Sequence, residues 1–148
     1  MASPHGTPTA ADPFDLRRFV EAQAPVFETV LQELREGRKR SHWMWFIFPQ
    51  IAGLGHSDMA RRFAIASRAE AAAYLAHPIL GARLVECSRL VQAVQGRSAR
   101  EIIGPPDDLK FHSSMSLFAS VAPERAIFQD NLRKYFAGVP DRATVERL

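Results

Sequence analysis

The chain has 148 residues, of which 47% are hydrophobic, 24% charged and 9% aromatic. These proportions are typical of a globular domain with one core, and they exclude fibrous, disordered, disulfide-rich and membrane-spanning classes of protein. The formal net charge of +3 permits an anionic partner but argues against a dedicated nucleic-acid binder, which normally carries more positive charge.

The single cysteine, Cys87, excludes an intrachain disulfide and a cysteine-based metal cage, as expected in a reducing compartment. No His and carboxylate set has a zinc-like spacing, so we predict no metal and no cofactor. Residues 1–13 lack the basic and apolar regions of a signal peptide and predict a disordered tail. We therefore expect a cytoplasmic protein with a single domain over residues 14–148.

Apolar residues recur at helical spacing in most segments, and no pair of alternating runs is joined by a hairpin turn. The pattern predicts an all-α protein of seven or eight short helices. The predicted helices span residues 15–23, 25–36, 57–66, 67–77, 78–96, 98–103, 107–121 and 123–136, with a last turn capped by Asp141.

The helix ends are predicted from capping signals. Ser67 with Glu70, and Ser98 with Glu101, have the spacing of a capping box, in which each side chain bonds the backbone of the other residue. Asp107 is predicted to cap the helix that ends at Val121.

The first candidate functional segment, residues 38–50, begins with three basic residues and continues into a run with both tryptophans. As a helix, Trp43 to Phe48 is apolar on every side, so it forms part of the core or lines a cavity. In the functional interpretation, Trp43 and Trp45 form the wall of a pocket, His42 acts as acid or base, and Gln50 is a polar contact. In the alternative, the segment is a central core helix.

The second candidate is Arg83, which lies in the middle of an otherwise apolar helix face that also carries Cys87. A guanidinium there needs a partner, either an internal carboxylate or the carboxylate or phosphate of a ligand. Asp107 or Asp108 is a possible internal partner. Cys87 is predicted to be an inert core thiol.

The third candidate is the start of the helix after Pro106. Phe111 and other apolar residues define its buried side, and His112, Ser113 and Ser116 are predicted to face away from it. The polar residues predicted to build a site, in which the helix-terminal N–H groups help to hold an anion, are Asp107, Asp108, Lys110, Ser113 and Ser114. In the alternative, the acidic residues stabilise the helix end and Ser114 bonds the preceding turn.

The glycine-containing segment 53–57 lacks the spacing of a dinucleotide or P-loop motif. It is a candidate loop over a pocket.

Four segments together resemble a known family: 38–50, 53–55, 77–84 and 107–118. The chain resembles the uncharacterised bacterial domain-of-unknown-function family numbered eighteen-ten, sometimes labelled calpastatin. The resemblance covers about residues 14–148 and implies a single all-α domain of irregular helix arrangement, with no established activity. The calpastatin label is set aside, because that inhibitor is disordered and built from repeats, whereas this composition is folded and repeat-free.

Within the family pattern, His112 and Ser116 depart from the residues that are common there, which argues against a catalytic role for His112. The candidate residues that match the pattern are Trp43, Trp45, Arg83, Asp107, Asp108, Lys110, Ser113 and Ser114.

Three functional hypotheses follow. In the first, the chain is a small-molecule binding protein or enzyme for an anionic or nucleotide-like ligand, with His42, Asp108 and Lys110 as catalytic candidates and Arg83 holding negative charge. In the second, it is a non-catalytic helical interaction module whose polar residues form a structural network. The third is weak nucleic-acid binding through Arg38, Lys39, Arg40, Arg61 and Arg62. The sequence leaves open whether the chain is an enzyme and what its oligomeric state is.

Overall fold

Helices separated by short loops make up the fold, as the helical spacing of the apolar residues requires. A computed structural model describes residues 9–148, and that part of the chain contains ten helices and no strand of a sheet. The helices are α1 (Arg17–Gln23), α2 (Phe27–Arg35), α3 (Met44–Ile47), α4 (Asp58–Arg62), α5 (Arg68–Ala76), α6 (Leu80–Ala93), α7 (Ala99–Ile103), α8 (Asp107–Val121), α9 (Ala126–Phe136) and α10 (Arg142–Glu146). The all-α prediction is confirmed. The count exceeds seven or eight because the tryptophan segment and the last turn each form a helix.

Several helix ends follow the capping signals. Ser98 and Glu101 form the complete capping box before α7, and Asp141 caps α10. At α5 only half of the predicted box forms: Ser67 accepts from the Glu70 N–H. The Glu70 carboxylate instead accepts hydrogen bonds from the Ala66 N–H and the Arg18 guanidinium.

Other boundaries differ from the prediction. The prediction that Asp107 is the cap of α8 is wrong, because Asp107 is already the first helical residue and Pro106 precedes it. The helix predicted over 57–66 ends at Arg62. After a turn at Phe63, Ile65 forms an isolated parallel bridge with Ile51.

The core packs around α8, which contacts α5, α7, α9 and α10. Its fully buried residues include Phe111, Met115 and Phe118, the side predicted from the sequence. Gly81 allows α5 and α6 to meet closely, because a Cβ at this position would lie 2.0 Å from the Leu75 carbonyl oxygen.

The predicted tail, residues 1–13, falls partly outside the described residues, since the description begins at residue 9. Thr9 and Asp12 form a turn through reciprocal backbone hydrogen bonds. The Asp12 carboxylate accepts from the N–H groups of Leu16 and Arg17, at the start of α1. Within residues 9–148, no helix is long and apolar enough to cross a membrane.

Candidate functional site

A cleft of about 280 Å³ lies between the loop after α3, the start of α8 and the start of α10. This volume is close to the lower end of the range for small-molecule sites, so it suits a ligand of metabolite size. We call it the Lys110 cleft. Its lining residues are Gln50, Leu54, Gly55, Pro106, Leu109, Lys110, Ser113, Asp141 and Ala143.

A narrow cavity of about 10 Å³, with room for about one water molecule, adjoins the cleft. Gln50, Gly55 and Lys110 border both spaces. Trp45 and Gly53 also line the narrow cavity. The structure therefore brings Trp45, Gln50 and Lys110 together, three of the residues predicted from the sequence to form a site.

The shortness of α3 positions Trp45 and Gln50. The helix stops before Phe48 because Pro49 disfavours the helical conformation in the residue that precedes it. The chain then turns so that the Gln50 carbonyl accepts from the Ile65 N–H at 2.8 Å, which fixes its backbone. The Gln50 side-chain amide makes no hydrogen bond to residues 9–148 and is available at the cleft wall.

Asp107, in the first turn of α8, holds two lysines on one carboxylate. Lys39 Nζ lies 3.0 Å from Asp107 Oδ2, and Lys110 Nζ lies 3.2 Å from Oδ1. The Lys39 side chain is 6% exposed and also donates to the Ser41 carbonyl at 2.6 Å. The Lys110 side chain is 27% exposed. The two lysine ammonium groups therefore share the single negative charge of Asp107. The excess positive charge is on the solvent side, at the more exposed Lys110.

Each of these lysines also lies against an indole ring. Lys39 Nζ is 5.0 Å from the ring centroid of Trp43, and Lys110 Nζ is 5.5 Å from that of Trp45. Such contacts stabilise the ammonium without neutralising its charge. The Lys110 ammonium at the cleft is therefore held by the Trp45 ring and by a carboxylate that it shares with Lys39.

The segment before α10 forms the far wall of the cleft and is hydrogen-bonded to α8. The Asp141 N–H donates to Ser116 Oγ at 2.7 Å, and the His112 ring nitrogen Nε2 bonds the Val139 carbonyl at 2.7 Å. Ser113 Oγ lies 3.1 Å from Asp141 Oδ2. The prediction that Ser113 and Ser116 face away from the buried side is wrong, because the segment before α10 covers them.

Asp141 brings a carboxylate to this wall. Its Oδ2 atom accepts hydrogen bonds from the Thr144 N–H at 3.1 Å and from the Thr144 hydroxyl at 2.6 Å. It also accepts from the Ser113 hydroxyl. The other oxygen, Oδ1, accepts no hydrogen bond from residues 9–148. One carboxylate oxygen is thus committed to capping α10 and the other is available to a ligand donor.

One of the comparisons with known proteins identifies the family. A family model described as a protein of unknown function (DUF1810) matches residues 13–148. The chain belongs to this family. It is also similar to the crystal structure of the conserved hypothetical protein Rv1873 from Mycobacterium tuberculosis, with 59% identity and a TM-score of 0.92 over 93% of this chain and 98% of that one. No curated protein matches. Neither name assigns an activity, so the function of this DUF1810 protein has to be argued from its site.

Trp43 lies in the core of this DUF1810 protein, away from the cleft. It is 1% exposed, and its indole N–H donates to Glu33 Oε1 at 3.0 Å. Glu33 also accepts from the backbone N–H groups of Arg40 and Ser41 and from the Ser41 hydroxyl. Burial alone would raise the pKa of Glu33, but these hydrogen bonds outweigh it and lower the pKa below its ordinary value. This network fixes the chain just before α3.

Arg83 belongs to a second internal network. Its Nη1 atom lies 3.3 Å from Gln23 Oε1, and its guanidinium lies 4.6 Å from the ring centroid of Phe27. Gln23 in turn donates to Tyr74 Oη and to the Phe46 carbonyl. The pairing of Arg83 with Asp107 or Asp108, considered as one possibility, does not form, because Asp107 holds the two lysines and Arg83 lies against α1 and α2. Burial raises the pKa of the neighbouring Cys87 thiol to about 12.

The remaining candidates lie outside the cleft. His42 is exposed on the turn before α3, and neither it nor Asp108 lines the cleft or the narrow cavity. Asp108 Oδ1 and the Ser114 hydroxyl are buried and lack a hydrogen-bond partner within residues 9–148. The catalytic grouping of His42, Asp108 and Lys110 is therefore not brought together around the two spaces that Lys110 borders.

The five basic residues considered for nucleic acid are in different local environments. Lys39 is enclosed by its ion pair, Arg40 pairs with Glu36, and the Arg62 guanidinium lies over the Phe63 ring. These contacts occupy three of the five cations.

A larger groove of about 480 Å³ runs between residues 11–20 and the start of α6. Its polar groups already serve local structure: Asp12 caps α1, Arg17 pairs with Glu21, and His77 Nδ1 accepts from the Ile79 and Leu80 N–H groups. The Lys110 cleft is smaller, but the Gln50 side chain and Asp141 Oδ1 in its wall make no hydrogen bond to residues 9–148, so it is the better site.

Sequence reasoning missed Asp141 as a wall residue of this site and, outside the cleft, the contact of Arg147 with Gly53. Asp141 had been recognised only as a helix cap. Arg147 had no pattern that distinguished it from other exposed arginines. The two glycines at positions 53 and 55 were the available signal for the Arg147 contact. Gly53 has φ +98°, and its missing side chain leaves the space that the Arg147 guanidinium fills.

Proposed function

We propose that this protein binds a small anionic molecule in the Lys110 cleft. The observation that carries the proposal is the sharing of Asp107 between Lys39 and Lys110, which leaves an excess positive charge at the wall of a metabolite-sized space. An anionic group of the ligand would complete the charge balance of Lys110. A partly buried ion pair of this kind is stronger than one on the open surface.

The other cleft residues have matching roles in this proposal. The Gln50 amide provides both a donor and an acceptor, and Trp45, in the adjoining narrow cavity, lies against Lys110. Leu54, Leu109 and Ala143 cover the carbon skeleton of the ligand. Binding, rather than catalysis, is the function proposed, because no acid or base from the predicted catalytic set lies beside Lys110 in the cleft.

Thermal-shift screening of carboxylates, phosphate esters and nucleotides tests the proposal. A ligand present at a hundred times its dissociation constant should add about 2.7 kcal/mol of stability, which is several degrees for a domain of this size. The Lys110→Met variant should keep its fold, since Asp107 retains Lys39, and should lose the shift. Arg100→Gln, a charge change at an exposed residue of α7, is the matched control and should keep it. Equal shifts in both variants would refute the proposed site.

A further inference from the structure

The Lys110 cleft is lined by a carboxylate as well as by an ammonium, namely those of Asp141 and Lys110. Lys110 precedes Ser113 by three residues on α8, so these two side chains lie on the same face of the helix. Ser113 Oγ in turn lies 3.1 Å from Asp141 Oδ2. Lys110 pairs with Asp107 and forms no ion pair with Asp141. A positive and a negative group therefore border one space without neutralising each other directly.

The second oxygen of the Asp141 carboxylate, Oδ1, is open to solvent. It accepts no hydrogen bond from residues 9–148, and it is not enclosed as the unpartnered Oδ1 of Asp108 is. The hydrogen bonds from Ser113 and Thr144 all go to Oδ2 and fix the carboxylate in place. A charged acceptor that is already held in position loses little freedom when a ligand binds to it.

Apolar side chains cover the rest of the cleft wall. They belong to Leu54, Pro106, Leu109 and Ala143. Leu109 is 63% exposed, so it has apolar surface that a ligand can remove from water. A space of about 280 Å³ suits a molecule with a short carbon skeleton. The cleft thus combines one cation, one anion and an apolar surface.

From this combination we infer that the ligand is a zwitterionic amino acid with an apolar side chain. The inference rests on the proposed function, because the carboxylate of the amino acid is the anionic group that Lys110 binds. The ammonium of the amino acid donates to Asp141 Oδ1, and its side chain packs on Leu109. An anion without an ammonium would bring a second negative charge towards Asp141, and the repulsion between them would weaken its binding.

Calorimetric titration with leucine and two analogues tests the ligand class. Isocaproate is leucine without its amino group, and isoamylamine is leucine without its carboxylate. Leucine should bind the wild-type protein at least about tenfold more tightly than either analogue, because each analogue lacks one charge-assisted hydrogen bond. Lys110→Met should weaken the binding of leucine and isocaproate but not that of isoamylamine.

Asp141→Asn tests the role of the carboxylate. Asparagine caps a helix about as well as aspartate, and its amide oxygen can accept from Ser113 and Thr144, so the variant should fold. The variant should bind leucine about tenfold more weakly than the wild type. It should bind isocaproate at least as tightly as the wild type, because the repelling charge is gone.

Glu146→Gln is the matched control for Asp141→Asn. Glu146 is an acid on the same terminal helix, and its side chain is 61% exposed and pairs with Arg142. This variant should bind all three compounds as the wild type does. Thermal unfolding of each variant without ligand verifies that it is folded.

The comparison of leucine with isocaproate on the wild-type protein decides the inference without any variant. If isocaproate binds as tightly as leucine and Lys110→Met weakens it, the amino-acid inference is overturned and the proposed function stands. If none of the three compounds binds, the inference is also overturned. The screen of phosphate esters and nucleotides against wild type and Lys110→Met then decides the proposed function separately.

Discussion

The indole N–H of Trp43 donates a 3.0 Å hydrogen bond to Glu33, a buried carboxylate ten residues earlier in the chain. Three further donors from Arg40 and Ser41 reach the same carboxylate. Glu33 thus orders residues 40–43, which lead directly into α3 and the cleft.

Replacing Glu33 by Ala should lower the free energy of unfolding by roughly 2–4 kcal/mol, because the Trp43 indole and the two backbone donors lose a charged acceptor in the interior. Urea unfolding measures this effect. Glu28→Ala, at an exposed position on the same helix, should change stability by less than about 0.5 kcal/mol. Equal effects of the two substitutions would show that the Glu33 network contributes nothing.

The same carboxylate predicts an acid-sensitive contribution to stability. The pKa of Glu33 in the folded protein lies below its ordinary value of 4.5, so protonation favours the unfolded chain. The contribution is complete above about pH 4.5 and is lost as the pH falls through the lower, folded pKa. The difference in unfolding free energy between wild type and Glu33→Gln should therefore shrink below this pH. A difference that stays constant from neutral pH to pH 3 contradicts this prediction.

Arg18 should be the most sensitive arginine of α1. Its guanidinium ties α1 to the α4–α5 region by donating to Phe14, Asp15, Arg62, Ala64 and Glu70. Arg18→Met should cost about 3 kcal/mol, since it leaves Glu70 buried without its cation. Arg18→Lys should recover only part of this loss, because one ammonium cannot reach all of these acceptors. The neighbouring Arg17→Met removes only an exposed pair and should cost less than about 1 kcal/mol in the same denaturation assay.

The two lysines on Asp107 should differ in their effect on stability. Lys39→Met removes the enclosed ammonium and its bond to the Ser41 carbonyl, and we expect a loss of about 1–3 kcal/mol. Lys110→Met removes the more exposed partner and should cost less than about 1 kcal/mol. If chemical denaturation shows the larger loss for Lys110, the assignment of Lys39 as the structural partner fails.

Ser114 and Ser116 form a further matched pair on α8. The buried Ser114 hydroxyl has no partner within residues 9–148, so Ser114→Ala should be neutral or should stabilise the protein by up to about 1 kcal/mol. Ser116→Ala removes the acceptor of the Asp141 N–H and should cost about 1–2 kcal/mol. Thermal unfolding compares the two directly, and a clear loss at Ser114 would mean that its hydroxyl has an additional partner such as a buried water.

The sequence predicts the helices better than it predicts their partners. Helical spacing located the buried side of α8, and the spacing of Ser98 and Glu101 defined the start of α7, because both signals act within one or two turns. Burial of Ser113 and Ser116 depends on the segment before α10, which lies more than twenty residues further along the chain. A periodicity within α8 carries no information about that contact.

The same distinction applies to the candidate site. Lys110, Trp45 and Gln50 could be selected because they break the local pattern, and the structure places them around adjoining spaces. Trp43 and Arg83 break the pattern equally, but their partners are Glu33 and Gln23, which no short motif connects to them. An unusual residue indicates that some partner is needed, and only the fold shows whether that partner is internal or a ligand.

The isolated bridge between Ile51 and Ile65 has a consequence for motion at the cleft. The Ala52 N–H donates to the Ile65 carbonyl and the Ile65 N–H donates to the Gln50 carbonyl, each at 2.8 Å, so two bonds join the ends of the loop formed by residues 52–64. Separating the two ends of this loop has to break both bonds together. Deuterium uptake at the Ala52 and Ile65 amides should therefore be concerted, and its rate reports how often the base of the loop that carries Gly53 and Gly55 opens, even before any ligand is known.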